Sequence, residues 1–234
     1  MNASETPFRI VALLPAAGIG ARANGARSEQ DPKQYRHIAG QPMLRHAVCA
    51  LLSDTRIEQV RVITSPQDMR AQALLSDLPR TICCPVGGAE RSDTVLNGLE
   101  QAGLDRLDWI LVHDAARPGL PPEALARLID ACLDNGVGGL LALPVADTIK
   151  HADQTGRVER TIDRAQLWAA QTPQMFRVGL LLDALRQAKQ AGQLLTDEAQ
   201  AMELAGHQPL LVPGSGRNAK VTWPEDFEWV GSWL

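Results

Sequence analysis

The residues best suited to chemistry form a loop that follows a short apolar stretch near the N-terminus. Ile10 to Leu14 is apolar on both faces, which is typical of a buried central strand in a parallel sheet. The residues after Pro15 are small or glycine: Ala16, Ala17, Gly18 and Gly20. Small side chains let a ligand approach the backbone, so that N–H groups can point at phosphate oxygens. We therefore expect an anion-binding loop here, although a tight turn without any ligand would also need glycine.

Two familiar phosphate-binding motifs do not fit this loop. The Walker A sequence, Gly-x-x-x-x-Gly-Lys-Ser/Thr, is absent. The dinucleotide fingerprint needs a third small residue, for which Ala23 could only just serve, and an acidic residue closing the second strand. The second predicted strand ends Val62-Ile63-Thr64 instead, so we do not expect a dinucleotide site.

Charged residues recur at the ends of the predicted strands. Asp114 directly follows the apolar run Trp109 to His113, where a carboxylate can hold Mg²⁺ together with water and phosphate ligands. Capping the next turn is the alternative role for Asp114. The candidates for a positive field are Arg22, Lys33, Arg91, Arg117, Arg164 and Lys220.

Strand and helix patterns alternate along most of the chain. Strands are predicted at about 10–14, 59–64, 80–86, 109–113, 138–145 and 209–212. Helices are predicted at about 43–52, 121–135, 178–191 and 197–205 (capped by Thr196), with one opened by Ser65, one ending at 102 and one after Pro224. This order predicts an α/β fold with a doubly wound, mainly parallel, Rossmann-like sheet and helices on both faces. Ligands bind beyond the carboxyl ends of such strands, where we expect the polar clusters 18–33, 87–94, 113–118, 172–174 and 216–220.

The alternation stops between Asp147 and Arg164. Short alternating segments flank a turn at Asp153-Gln-Thr-Gly156, which predicts a β-hairpin too polar for a core. A two-stranded hairpin is marginal alone, so we expect it to dock onto a second copy of the chain in a two-fold homodimer. Packing on its own domain is the alternative. We therefore predict a single domain over 1–234 with a dimerisation β-arm at about 146–166.

Composition excludes several classes of protein. Apolar residues make up 45% and charged residues 21% of the 234, with a net charge of −4. Nothing attracts the whole chain to nucleic acid or to an anionic membrane, and no apolar run reaches the roughly 18 residues of a spanning helix. Residues 1–9 do not have the pattern of a signal peptide. Four cysteines without Cys-x-x-Cys spacing are expected to be reduced, in a cytoplasmic protein.

Several motifs, taken together and in order, resemble one known family. They are Pro15-Ala-Ala-Gly-Ile-Gly-Ala-Arg22, Pro32-Lys-Gln-Tyr35, Val112-His-Asp-Ala-Ala-Arg-Pro118, Thr161-Ile-Asp-Arg164, Gln171-Thr-Pro-Gln174 and Asn218-Ala-Lys-Val-Thr222 with Pro224. From Ile10 to about Phe227 the chain resembles the 2-C-methyl-D-erythritol 4-phosphate cytidylyltransferases of the non-mevalonate isoprenoid pathway. The resemblance implies transfer of CMP from CTP to 2-C-methyl-D-erythritol 4-phosphate, which gives 4-diphosphocytidyl-2-C-methyl-D-erythritol and pyrophosphate.

The resemblance also implies roles for individual residues. The catalytic residues would be Arg22, Lys33 and Lys220, the first two stabilising the transition state as they clamp the triphosphate. The nucleotide would contact Pro15, Ala16, Ala17, Gly18, Gly20, Gly88, Arg91, Thr94, Asp114 and Ala115, with Asp114 also at the Mg²⁺. The second substrate would contact Arg117 and Thr172, and also Thr148 and Arg164 from the partner's arm.

Two departures and two alternatives accompany this assignment. Ala23 to Asp31 is longer than usual for the family, and we expect it to form a mobile lid. Ala89 stands where relatives often carry an acidic residue.

A ribitol 5-phosphate cytidylyltransferase and a non-catalytic nucleotide-sensing protein are the alternative functions. Against the second, Arg22, Lys33, Asp114 and Lys220 are all present together.

Overall fold

The computed structural model describes residues 8–18 and 32–234. The strands are β1 (Ile10–Pro15), β2 (His37–Ile38), β3 (Gln41–Pro42), β4 (Ile57–Ile63), β5 (Thr81–Cys84), β6 (Trp109–Val112), β7 (Gly138–Pro144), β8 (Ile149–Ala152), β9 (Val158–Ile162), β10 (Trp168–Arg177) and β11 (Leu210–Pro213). The α-helices are α1 (Met43–Leu52), α2 (Arg70–Leu75), α3 (Arg91–Glu100), α4 (Pro122–Leu133), α5 (Val178–Gln190), α6 (Glu198–Leu204) and α7 (Asp226–Gly231). Lys33–Tyr35 and Gly216–Asn218 are short 3₁₀ helices.

Seven of the described strands form one central sheet in the order β11-β7-β10-β6-β1-β4-β5. All neighbouring strands are parallel except β10, which runs antiparallel to both β6 and β7. From β1 the chain adds β4 and β5 on one side and then β6 on the other. The strand order therefore reverses between β1 and β6, where such sheets bind their ligands.

The buried side chains lie on both faces of this sheet. Leu14 packs with Leu44 of α1 and Leu125 of α4 on one face. Leu13, the residue before it, packs with Leu99 of α3 and Leu181 of α5 on the other face. Successive residues of a strand point to opposite faces, so an apolar run such as β1 needs helices on both. The predicted fold class is confirmed.

Strand β10 is the main element that the sequence did not predict. The cluster Thr172–Gln174 was expected beyond the end of a strand, but it lies inside β10, where the pairing with β7 is irregular between Ala170 and Gln174. Proline has no N–H to donate to a sheet, so Pro173 is accommodated where the register breaks.

Two predicted helix caps are wrong. Ser65 was expected to open a helix, but α2 begins only at Arg70. Thr196 was expected to cap the helix that follows it, but the cap is Asp197, whose carboxylate accepts a hydrogen bond from the Gln200 N–H at 2.9 Å. The Thr196 hydroxyl instead donates to the Gln200 side chain at 3.1 Å.

The predicted hairpin is present as β8 and β9, which pair antiparallel with each other. Every residue of both strands is exposed or half-exposed, and the apolar side chain of Val158 is 64% exposed. In the described chain the hairpin is therefore not covered by its own domain. Docking onto a second copy remains a prediction.

None of the helices within residues 8–18 and 32–234 is both long enough and apolar enough to cross a bilayer.

Candidate active site

A cavity of about 310 Å³ opens at the carboxyl ends of β1 and β6. Its volume is within the range of small-molecule sites. It is lined by Pro15, Ala16, Ala17, Gly18, Lys33, Gln34, Gly88, Ala89, Glu90, Arg91, Thr94, Asp114, Ala115, Ala116 and Lys220. The four polar clusters that reach it are far apart in the sequence, and the sheet brings them together.

The loop after β1 is held by Gln34, which the sequence analysis did not single out. The Gln34 side-chain NH₂ donates to the carbonyl oxygens of Ala16 at 2.8 Å and Gly18 at 3.1 Å. Carbonyl oxygens carry partial negative charge and would repel a phosphate. Gln34 therefore engages these two oxygens in hydrogen bonds. The sequence signal for it is its place in the motif Pro32-Lys-Gln-Tyr35, directly after Lys33.

The opposite wall is formed by the turn that precedes α3. The Gly88 N–H donates to the Thr94 hydroxyl oxygen at 3.0 Å, and that hydroxyl donates to the Glu90 carbonyl at 3.1 Å. At Gly87 a Cβ atom would lie 2.8 Å from the Thr64 carbonyl oxygen. Only glycine allows this turn to approach the end of β4 so closely.

Asp114 lies at the centre of the charged groups. Its Oδ1 is 3.0 Å from Arg91 Nη2, and its Oδ2 is 2.7 Å from Lys220 Nζ. Burial of the Asp114 carboxylate opposes its ionisation, but the positive charges of Arg91 and Lys220 outweigh this effect and hold the pKa of Asp114 well below its usual range. The carboxylate is therefore ionised at neutral pH.

Lys33 and Lys220 lie at the same side of the cavity. Lys33 Nζ donates to the carbonyl oxygen of Val221 at 2.9 Å, and the Val221 N–H donates to the Ala116 carbonyl at 2.8 Å. The second bond fixes the segment containing Lys220 beside the residues that follow β6. The structure thus brings the two predicted catalytic lysines to one wall.

Arg91 is held by a second carboxylate that the sequence analysis missed. Its Nη1 and Nη2 donate to the two oxygens of Glu198 at 2.7 and 3.1 Å. Burial lowers the pKa of Arg91, but the charges of Glu198 and Asp114 outweigh this effect and raise it above its ordinary value. Glu198 opens α6 and carries no motif that marks it as part of a site.

Arg117 and Thr172, which were predicted to contact substrate, lie behind the cavity wall rather than in it. Arg117 is 9% exposed and donates to the carbonyl oxygens of Asn218 at 2.7 Å and Ala170 at 3.3 Å. The Thr172 hydroxyl accepts the Asp114 N–H at 3.0 Å. In this chain both residues support the segments that carry Asp114 and Lys220.

His113 completes the support of Asp114 and is fully buried. Its Nδ1 lies 3.0 Å from the Thr172 hydroxyl, and its Nε2 lies 3.1 Å from the Arg117 carbonyl oxygen. Because a carbonyl can only accept, Nε2 carries the proton and Nδ1 accepts from Thr172. Burial lowers the pKa of His113 to about 4, so the ring is neutral at pH 7 and serves as a structural connector.

The remaining predicted site residues do not line the cavity or lie outside the described residues. Thr148 and Arg164 are exposed at the two ends of the arm. Gly20, Arg22 and the predicted lid 23–31 lie outside the described residues. Ala89 lines the cavity as predicted from its neighbours, without a carboxylate.

The donor atoms of the site fit one kind of metal ion. Across residues 8–18 and 32–234 no group of three or more His, Cys, Asp or Glu side chains could hold a metal. Mg²⁺ commonly binds through one or two carboxylates together with water and substrate phosphates. Asp114 alone therefore fits a Mg²⁺ ion that is also held by a nucleotide.

Comparison with known proteins agrees with this geometry. The family model described as IspD, 2-C-methyl-D-erythritol 4-phosphate cytidylyltransferase, matches residues 10–233. The chain belongs to this family. The predicted enzyme class, a nucleotidyltransferase, is therefore confirmed.

Individual relatives cover almost the whole chain. A 2-C-methyl-D-erythritol 4-phosphate cytidylyltransferase from Bordetella parapertussis is 63% identical over 96% of this chain and 98% of its own length. A solved 4-diphosphocytidyl-2C-methyl-D-erythritol synthase is 39% identical with a TM-score of 0.83, covering 97% of this chain and 98% of its own. The cytidylyltransferase structure from Francisella tularensis is 28% identical with a TM-score of 0.82, over 97% of this chain and all of its own. The likeness to the family thus extends through the arm and both ends of the sheet.

We expect Gln34→Ala to raise the KM for CTP about tenfold, because losing two hydrogen bonds frees the Ala16 and Gly18 carbonyls. The exposed Gln41→Ala is the control and leaves the KM unchanged. Steady-state kinetics with CTP varied at saturating second substrate measure the effect. An unchanged KM in Gln34→Ala would show that the loop holds its shape without this side chain.

We expect stability to fall as the pH drops from 6.5 towards 4. The folded protein keeps His113 neutral with a pKa of about 4, whereas the unfolded chain takes up a proton near the ordinary value of 6.5. The stabilisation is thus fully present above pH 6.5 and is lost below it, by about 2 kcal/mol between pH 7 and 4.5. Urea unfolding across this range measures it, and His113→Gln should remove that part of the slope. An equal slope in the variant would assign the loss to other groups.

Proposed function

We propose that this cavity binds CTP and transfers its CMP group to 2-C-methyl-D-erythritol 4-phosphate, releasing pyrophosphate. The observation that carries the proposal is the placing of Asp114 between Arg91 and Lys220, with Lys33 on the same side, where the strand order reverses. Membership of the cytidylyltransferase family supports the choice of both substrates.

The nucleotide lies along the two glycine-containing walls. One wall, with the backbone of residues 15–18 and Ala115, contacts the phosphates and ribose. The other wall, with Gly88, Thr94 and Arg91, contacts the base and sugar. Ala89 adds no side-chain hydrogen bond, so backbone groups and Thr94 make the polar contacts there.

The reaction needs charge stabilisation more than it needs a base. The attacking group is a phosphate monoester, largely dianionic at pH 7 because its second pKa is about 6. An oxygen of that phosphate bonds to the α-phosphorus of CTP, while the bond from the α-phosphorus to the bridging oxygen breaks and pyrophosphate leaves. Lys33, Lys220 and Arg22 offset the charge that accumulates as two anions approach, and they align the groups.

Asp114 would hold the Mg²⁺ that accompanies the triphosphate. When bound, such an ion would neutralise phosphate charge. Because the pKa of Asp114 is low, its carboxylate is ionised at neutral pH and can act as an anionic metal ligand. Lys220, on a flexible stem, moves from Asp114 to the α-phosphate as the nucleotide enters.

The second substrate binds between the cavity and a partner subunit. Arg117 and Thr172 shape the wall nearest to it. Thr148 and Arg164 are exposed on the arm and do not line the cavity of their own chain, and we assign them to the cavity of the partner in a homodimer. The exposed Val158, Leu167 and Trp168 near them support burial of the arm in such a dimer.

We further propose that residues 1–234 act as one nucleotidyltransferase domain in the cytoplasm. The four free cysteines, Cys49, Cys83, Cys84 and Cys132, support a reducing compartment.

The first test measures pyrophosphate release from CTP and Mg²⁺ with 2-C-methyl-D-erythritol 4-phosphate, with ribitol 5-phosphate, and with no acceptor. We expect release to depend on the methylerythritol phosphate. Lys33→Ala and Lys220→Ala should each lower kcat roughly a hundredfold to a thousandfold by removing transition-state charge stabilisation. Lys189→Ala, which breaks only an exposed pair with Asp93, is the control.

Release with ribitol 5-phosphate alone would keep the nucleotide site but change the acceptor. Near-native kcat in either site-lysine variant would remove that lysine from the mechanism. Melting temperatures close to that of the native protein are needed to exclude misfolding.

A shared site predicts that two inactive variants restore activity when mixed. In a heterodimer of Arg164→Ala and Lys220→Ala subunits, one site keeps both Lys220 and the other subunit's Arg164. Random pairing then gives about a quarter of native activity. Activity no greater than that of the separate variants would place Arg164 in the site of its own chain. Light scattering that finds only monomers in the active enzyme would rule out the dimer.

A further inference from the structure

Glu198 is a buried acid that the mechanism above does not use. Its side chain is 1% exposed, and both oxygens accept from Arg91. A buried ion pair costs desolvation and is often no more stable than a pair of apolar residues. Stability alone therefore does not explain why a glutamate occupies this position.

The start of α6 is held so that Glu198 stays in place. The Gln174 side chain accepts the Ala199 N–H at 2.8 Å and donates to Asp197 at 3.0 Å. Gln174 lies on β10, two residues after Thr172. The strand that positions Asp114 through Thr172 therefore also positions Glu198.

The guanidinium of Arg91 lies between the two acids. Nη1 and Nη2 donate to Glu198, while Nε donates to Asp114 at 3.1 Å and Nη2 lies 3.0 Å from the same oxygen. A planar guanidinium bound along two edges has no freedom to turn away. Lys220 can leave Asp114 when a nucleotide arrives, but Arg91 stays.

A fixed positive charge beside a metal ligand weakens metal binding unless it is balanced. The four side chains Arg91, Lys220, Asp114 and Glu198 carry two positive and two negative charges. Without Glu198 the charge of the part-buried Arg91, whose side chain is 30% exposed, would act on Asp114 alone, at a distance where the interaction between charges is strong. The divalent cation would then compete with an uncompensated neighbour 3.0 Å away from its ligand.

We propose that Glu198 is a positioning residue that balances the charge of Arg91 and so leaves Asp114 able to bind the nucleotide's divalent metal ion. This inference rests on the proposed function, because it takes Asp114 as the metal ligand. It assigns Glu198 to metal binding through Arg91, with no contact between Glu198 and substrate.

The test measures how strongly Mg²⁺ and CTP binding are coupled, without turnover. Isothermal titration calorimetry gives the Kd of CTP with Mg²⁺ and with EDTA, and the ratio of the two is the coupling. Glu198→Gln keeps the size of the side chain and removes its charge, so the coupling should fall roughly tenfold. The control is Glu203→Gln on the exposed side of the same helix, where the coupling should stay native.

A second variant covers the case in which Glu198→Gln does not fold with Arg91 uncompensated. Combining Arg91→Met with Glu198→Gln removes both charges of the buried pair. CTP affinity can fall for other reasons in this protein, but the coupling should return to within about threefold of native, because Asp114 then faces only Lys220.

Asp114→Asn distinguishes a failure of the metal role of Asp114 from a failure of the role of Glu198 alone. If it leaves the coupling unchanged, the metal role of Asp114 fails, and the role of Glu198 fails with it. If Asp114→Asn lowers the coupling while Glu198→Gln does not, only the role of Glu198 is overturned. Coupling in the double variant that stays as low as in a folded Glu198→Gln would also overturn it.

Discussion

The ionised carboxylate of Asp114 is the constraint on which the rest of the site depends. An acid this deeply buried remains charged only if cations lie against it, and here Arg91 does so from the start of α3 and Lys220 from the segment after β11. Each of those cations is in turn held by a neighbour: Arg91 by Glu198, and the segment of Lys220 by the Val221 to Ala116 hydrogen bond. One charge after an apolar strand thus fixes the relative positions of β6, α3, α6 and the segment after β11.

The neutral groups around Asp114 are arranged so that each hydrogen bond has a defined donor and a defined acceptor. The neutral ring of His113 accepts from Thr172 and donates to a carbonyl, which leaves the Thr172 oxygen free to accept the Asp114 N–H. Gln34 holds the described part of the loop after β1 in a similar way, because its side-chain NH₂ donates to two carbonyl oxygens there. Charge placement and hydrogen-bond direction together give a pocket whose surface suits a polyanion, although the whole chain carries a net charge of −4.

The elements and site residues that depend on a local sequence pattern could be predicted from the sequence. Apolar runs of strand length gave β1 and β6, and an acid or glycine directly after them marked Asp114 and the loop at Gly18. The sequence could not predict β10, because a polar Gln-Thr-Pro-Gln segment with a proline lacks the pattern of a buried strand. It also missed Glu198, whose partner Arg91 is 107 residues earlier in the chain and meets it only through tertiary packing. The supporting roles of Arg117 and Thr172 were missed for the same reason, since their partners (two carbonyl oxygens for Arg117, the Asp114 N–H and the His113 ring for Thr172) meet them only in the folded chain.

The place of β10 in the sheet also determines the order in which the strands can join the sheet during folding. This strand lies between β6 and β7, yet it follows both in the chain. During synthesis β7 cannot join the sheet beside β6 until β10 has left the ribosome and taken its place between them. Contacts between strands so distant in sequence form slowly. Until residue 177 emerges, the edge of β6 and the apolar strand β7 lack the strand that pairs with both, and unpaired strand edges of this kind are prone to aggregation.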